Sequence, residues 1–139
     1  MYHVQFDPYP PRAALNGTTS PATEIVHMYF PNSYSAQDKE KVVHDIKAFI
    51  AVLEREAGTA YRASTGGWVE EEVHVPGTTE KATAYVLLIG WTSVEAHMSF
   101  RETKAFADNA QLLLGAKDLK KVEVMHASLT ETPRTSSLL

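Results

Sequence analysis

Apolar and polar positions follow two alternating rhythms along this chain, one with a period of two residues and one with a helical period. Glu24 to Phe30 alternates and stops at Pro31, which predicts a first strand. Ser35 with Asp38 three residues on is a capping-box pattern, and Val42, Val43, Ile46, Phe49, Ile50 and Leu53 then fall on one helical face until Gly58. Thr65-Gly66-Gly67 leads into a predicted second strand, Trp68 to Val75, and Pro76-Gly77-Thr78-Thr79 is a turn signal. A third, strongly apolar strand, Ala82 to Ile89, runs into Gly90-Trp91-Thr92-Ser93-Val94-Glu95. Thr92 with Glu95 reads as a second capping box, opening a helix that carries Val94, Met98, Ala105, Phe106 and Ala110 and ends at Gly115. Val122 to Leu129 is the last predicted strand. The order is βαββαβ, which predicts an α+β domain: a four-stranded antiparallel sheet with two helices on one face.

Such a sheet leaves its other face bare, yet both parities of the strands are apolar: Ile25, Tyr29, Tyr85, Leu87, Ile89 and Trp91 on one, Val26, Met28, Phe30, Val86 and Leu88 on the other. Neither face suits water, so the pattern predicts a homodimer closing sheet against sheet. Outside residues 24–129 the rhythm fails. Residues 1–23 carry Pro8, Pro10, Pro11, Gly17 and Pro21 and read as an irregular arm that wraps the body or a partner subunit, and 130–139 reads as a flexible tail. The 139 residues, 44% hydrophobic, supply one core and no second domain. A net charge of −4 with scattered Lys and Arg argues against nucleic acid as a partner. The absence of cysteine excludes disulfides and thiolate metal sites. No apolar run resembles a signal peptide or a membrane span, so no membrane partner is expected and the cytoplasm is the default location.

The order of elements, the Trp91-Thr92-Ser93-Val94-Glu95-Ala96 junction and the Phe100 to Phe106 stretch resemble the dimeric α+β barrel superfamily. This group is ferredoxin-like and includes antibiotic-biosynthesis-type monooxygenases, stress-responsive barrels and a plant polyketide cyclase. The resemblance covers residues 24–129. It implies a small-molecule pocket between sheet and helices, with no cofactor in several branches. The catalytic tyrosine and histidine of the plant cyclase have Phe100 and Phe106 in their places, so that acid–base pair is missing. The haem-degrading branch is matched only at Trp91, which disfavours haem. Cofactor-free monooxygenases of the group place Trp, Tyr and Asn around an oxidisable phenol, a set to which Trp68, Trp91, Tyr29 and Tyr85 are candidate contributors.

Histidine is the natural acid or base near neutral pH. His126 shares a strand face with Val122 and Val124, and His27, on the first strand, is the second candidate, expected near His126. Tyr29, Tyr85, Trp91, Phe100, Phe106 and Trp68 are the candidate substrate contacts, although Phe100 and Phe106 are equally suited to plugging the cavity. His97 and Arg101, four apart, share a helix face that reads as surface rather than pocket rim. Glu70-Glu71-Glu72 reads as a solvated edge strand, with an inward carboxylate serving a histidine as the alternative. His3, His44 and His74 have weaker claims. No HxH or HxxxH spacing occurs, so no metal is expected.

Two classes of function fit. One is a cofactor-independent enzyme of secondary metabolism, acting on a hydrophobic, aromatic or polyketide-like small molecule through His126 and His27. Cyclase, isomerase or lyase chemistry needs only that equipment, and cofactor-free oxygenation is a variant. The other is a non-catalytic barrel that binds a ligand or serves as a structural dimer.

Overall fold

The computed structural model describes residues 2–7, 12–15 and 20–127. The expected tail at 130–139, and residues 8–11 and 16–19 of the expected arm, lie outside them. The elements are α1 (Arg12–Leu15), β1 (Ala22–Pro31), α2 (Ala36–Glu56), β2 (Tyr61–Trp68), β3 (Val73–His74), β4 (Lys81–Trp91), α3 (Val94–Arg101), α4 (Lys104–Asn109), α5 (Gln111–Leu114) and β5 (Lys121–Ala127). The main strands lie in the order β2-β4-β1-β5, all pairs antiparallel, with β3 adding a two-residue pairing to β4. This is the α+β, ferredoxin-like arrangement expected from the sequence, with one short additional strand.

Three local expectations need correction. The second strand runs from Tyr61 to Trp68, upstream of the predicted Trp68–Val75, and Glu70-Glu71-Glu72 occupies the turn after it. Gly66 and Gly67 lie within this strand because neighbours press on their backbone: a Cβ at 66 would overlap the Tyr85 ring, and one at 67 the main chain of Gln5. The second helix is broken into α3, α4 and α5. Thr103 makes the break tolerable, its Oγ1 donating to the Phe100 carbonyl (2.7 Å) and accepting from the Phe106 amide (3.2 Å). The cap of α3 is Ser93, whose hydroxyl accepts from the Ala96 amide at 3.0 Å, rather than Thr92. The Ser35–Asp38 capping box of α2 forms as expected.

Register sorts the two parities onto faces. Met28 pairs with Tyr85, Val26 with Leu87 and Ala22 with Trp91, so these side chains share the helix side and pack against Val42, Ile46, Phe49 and Leu53 of α2. On the far side, Ala84, Val86 and Leu88 of β4 form a second cluster with Val69 and Ala14, and Val4, Phe6 and Leu15 pack against it. The arm therefore meets within one chain part of the burial that the sequence assigns to a partner. It reaches that position by pairing with the free edge of β2: Asp7 N–H donates to the Gly66 carbonyl (2.8 Å), Gly66 N–H to the Asp7 carbonyl (3.2 Å) and Glu70 N–H to the His3 carbonyl (2.7 Å). At the opposite sheet edge the apolar side chain of Met125 is 53% exposed. Among the described residues no helix is long and apolar enough to cross a membrane.

Gly67→Ala should lift the arm from the sheet at a cost of about 1–3 kcal/mol, the usual range for overpacking. Hydrogen exchange should then show protection lost at the Asp7 and Glu70 amides and retained in β1 and β4. Unchanged protection at Asp7 and Glu70 would contradict this account of the arm.

Candidate functional site

At one end of the sheet, three neighbouring strands and the start of α3 bring polar side chains together on the helix side. Glu24 of β1 lies opposite Ile89 of β4 on one flank and His126 of β5 on the other. Trp91 sits two residues further along β4 than Ile89, on the same face, and the Ser93 cap turns the chain so that His97, in the first turn of α3, folds back over it. The indole and imidazole rings stack at 4.8 Å with 21° between their planes. Trp91 is 1% exposed, His97 4% and Glu24 8%, so the cluster is held away from bulk water.

Two hydrogen bonds and one close polar contact connect the cluster. Trp91 Nε1–H donates to Glu24 Oε1 at 3.1 Å, and an indole N–H can only donate. His97 Nε2 lies 3.2 Å from the same oxygen, and His97 Nδ1 lies 2.7 Å from His126 Nε2. An arrangement with the proton on His97 Nε2, facing Oε1, and His126 Nε2–H donating to His97 Nδ1 is consistent with these contacts. Glu24 thereby accepts one hydrogen bond, from Trp91, with the His97 ring close beside the same oxygen, and His97 in turn is bonded to the half-buried His126 on the edge strand.

Burial dominates the electrostatics. It pushes the Glu24 carboxyl up to about 7, with the Trp91 hydrogen bond and the Arg101 charge pulling the other way. Burial also lowers His97 to about 4, helped by His126 and by the positive charge of Arg101. The neutral forms of both groups are favoured over a buried ion pair.

Beside this cluster, between sheet and helices, lies a cavity of about 390 Å³. Glu24, Trp91 and His97 form its polar end, Phe100 and Phe106 part of its apolar wall, and Arg101 also lines it. Its volume is within the range of about 300–1,000 Å³ usual for small-molecule sites. Phe100 and Phe106 pack edge to face at 6.1 Å and bound the space rather than fill it. On another side the cavity is bordered by two exposed apolar side chains, Leu114 (52%) and Val124 (50%).

The structure brings together some of the residues singled out from sequence and separates others. His126, Trp91, Phe100 and Phe106 converge on the cavity region, His126 one bond removed from its wall. His27 does not join them. It pairs with Glu123 in register, one residue out of phase with Glu24 and His126, and so faces the far side, with its Nε2 2.7 Å from Tyr2 Oη and its ring stacked on Tyr29. Burial lowers its pKa, and the nearby Glu123 offsets part of that. Tyr29 Oη donates to Glu123 Oε1 at 3.3 Å, also on that side. Tyr85 and Trp68 pack edge to face at 5.2 Å beside a separate open groove of about 860 Å³ between α2 and β2. Glu71 meets His3 at 2.8 Å on the surface, so the glutamate run sends no carboxylate to the cavity histidines. His97 reverses its expected placement, being a cavity residue rather than surface.

Sequence reasoning misses Glu24 and His97. Both carried a signal: Glu24 is the one charge on the parity of Val26, Met28 and Phe30, and His97 is spaced by three from Val94 and Phe100. Among the described residues no three carboxylate or imidazole groups are arranged to hold a metal ion.

No family model and no curated protein matches the chain. Solved structures do. The Arabidopsis thaliana protein At3g17210 is similar over 81% of this chain and 98% of its own, with 19% identity and a TM-score of 0.54. SnoaB, a cofactor-independent oxygenase from Streptomyces nogalater, is similar over 83% of this chain and 99% of its own, with 12% identity and a TM-score of 0.51. At such identities the likeness concerns the fold alone, and that fold is α+β and ferredoxin-like.

The opposed shifts of Glu24 and His97 make a stability prediction. Glu24 holds its proton more tightly folded (about 7) than unfolded (4.5), so its contribution falls as pH rises from 4.5 to 7. His97 holds its proton less tightly folded (about 4) than unfolded (6.5), so its contribution rises from pH 4 to 6.5. The two largely cancel in the parent protein. Glu24→Gln should therefore give stability that climbs with pH between 4 and 6.5, and His97→Gln stability that falls between 4.5 and 7, each by on the order of 2–3 kcal/mol in denaturant titrations. Slopes of the same sign in both variants would contradict the assignment.

Proposed function

We propose that this protein is a cofactor-independent acid–base enzyme acting on a hydrophobic small molecule, and that Glu24 is the group that moves the proton. The observation that supports this most is a buried carboxyl, pushed up to about 7, at the polar end of an apolar cavity, hydrogen-bonded to a donor-only indole and 3.2 Å from the first ring of a hydrogen-bonded histidine pair. A carboxyl titrating near neutral pH is present in both forms and serves as base and as acid.

In this reading the substrate enters apolar end first and places a C–H adjacent to a carbonyl at Glu24. The ionised carboxylate removes that proton, leaving an enolate, while the Trp91 N–H retains its bond to Oε1. Return of the proton to a different carbon completes an isomerisation. Attack of the enolate carbon on a second carbonyl of the same molecule, with the proton passed to the new alkoxide, completes a cyclisation. The reverse of such an addition is a carbon–carbon lyase step. None of these needs an oxidant or reductant. His97 and His126 connect Glu24 to the sheet edge, giving a route by which the resting protonation state is restored from solvent. An aromatic or polyketide-like body suits walls built from Phe100, Phe106 and Trp91. Oxygen uptake on substrate addition would mark the cofactor-free oxygenase variant. The reading extends to a homodimer through the far face near Met125, which light scattering at micromolar concentration checks.

The test uses an aryl alkyl ketone, butyrophenone, in D₂O, followed by proton NMR. The native protein should accelerate exchange of the protons beside the carbonyl, and Glu24→Gln should remove roughly 10²-fold or more of that acceleration, the usual worth of a general base. Exchange by Glu24→Gln at the native rate would contradict the proposal. Ligand binding with no exchange would assign the non-catalytic barrel instead.

A further inference from the structure

The charge balance of the cavity carries a statement about its ligand. Two of its lining residues bear formal charge, Glu24 and Arg101. Glu24 is committed to Trp91 and His97 at one oxygen, deep at the sheet end. Arg101, in the last turn of α3, is exposed and also lines the cavity. Among the described residues its guanidinium has no carboxylate within ion-pairing distance, and its Nη1 rests 3.8 Å from Met98 Sδ. Ion pairs form elsewhere on this surface, including Lys41–Asp45 and Lys104–Asp108 on neighbouring helical turns. The protein as a whole is acidic, at −4, yet this cavity carries a permanent cation and a carboxyl that burial keeps largely neutral below pH 7.

Resting on the reading of the cavity as a substrate site, we propose that Arg101 anchors a carboxylate of the ligand at the cavity rim, so that the substrate is an amphipathic acid with an apolar body. A guanidinium offers a planar pair of donors matched to a carboxylate, and desolvation by the ligand's own apolar body strengthens the contact. The anchor also orients the molecule. With the anion held by Arg101 and the body against Phe100 and Phe106, the segment that reaches Glu24 is fixed by the length between them, which makes Arg101 a specificity determinant rather than a participant in proton transfer.

The experiment compares 4-butylbenzoate with 4-butylbenzamide, equal in shape and differing in charge, by isothermal titration calorimetry on the full chain. The acid should bind about tenfold more tightly than the amide, as a charge-assisted pair at a partly exposed site provides. That preference should shrink as salt is raised. Arg101→Gln should bring the acid down to the level of the amide, and Arg101→Lys should retain part of the difference. Equal binding of acid and amide by the native protein, or a preference that survives Arg101→Gln, would overturn the anchor and leave the apolar cavity standing. Binding of neither would overturn both the anchor and the cavity reading.

Discussion

Burying a carboxyl at the end of the central strand is the constraint around which the site is arranged. β1 lies between β4 and β5, so a side chain at Glu24 is flanked on both sides by sheet and covered by α3. A carboxyl there is tolerated only if its lone pairs are met and its charge is suppressed or compensated. The Trp91 hydrogen bond serves the first condition, with His97 close by, and the upward shift to about 7 reflects the second. His97 reaches this end because α3 starts soon after β4, with Ser93 as its cap, and its ring stacks on Trp91.

The remainder of the architecture isolates that end of the sheet. The second helix is broken into three short pieces, and α5 brings Leu113 and Leu114 to the cavity as α3 brings Phe100. The arm acts on the other side, covering the β2 and β4 part of the far face and satisfying the free edge of β2. Residues there, including His27, Tyr29 and Tyr2, form their own small hollow with no line to the cavity, because the sheet itself separates them.

Much of the fold is legible in the chain because its two rhythms are strong: Glu24 to Phe30 and Ala82 to Ile89 read as strands, and Val42 to Leu53 as a helix face. β2 is not, since Thr65-Gly66-Gly67 carries the chemistry of a loop and only the tertiary approach of Tyr85 and Gln5 reveals why glycine is needed inside a strand. The helix break at Glu102 and Thr103 has no glycine or proline to announce it. For the site, His126 is legible from its alternation with Val122 and Val124, and Trp91 from its junction. His27 is misleading because a single residue of phase decides the face. His97 is hidden by its pairing with Arg101 at a spacing of four, when its spacing of three from Val94 and Phe100 places it inside. Glu24 looks like the polar start of a strand; its parity with Val26, Met28 and Phe30 gives its face, but nothing local tells that β5 will flank it and α3 cover it.

The central claim is that Glu24 exchanges its proton near neutral pH inside an apolar site. Carbon-13 NMR of the glutamate side-chain carboxyls, with Glu24 assigned by its absence in Glu24→Gln, measures this directly across pH 3 to 9. A midpoint near 7 is the result this account predicts. A midpoint at the ordinary 4.5 of an exposed glutamate would contradict it.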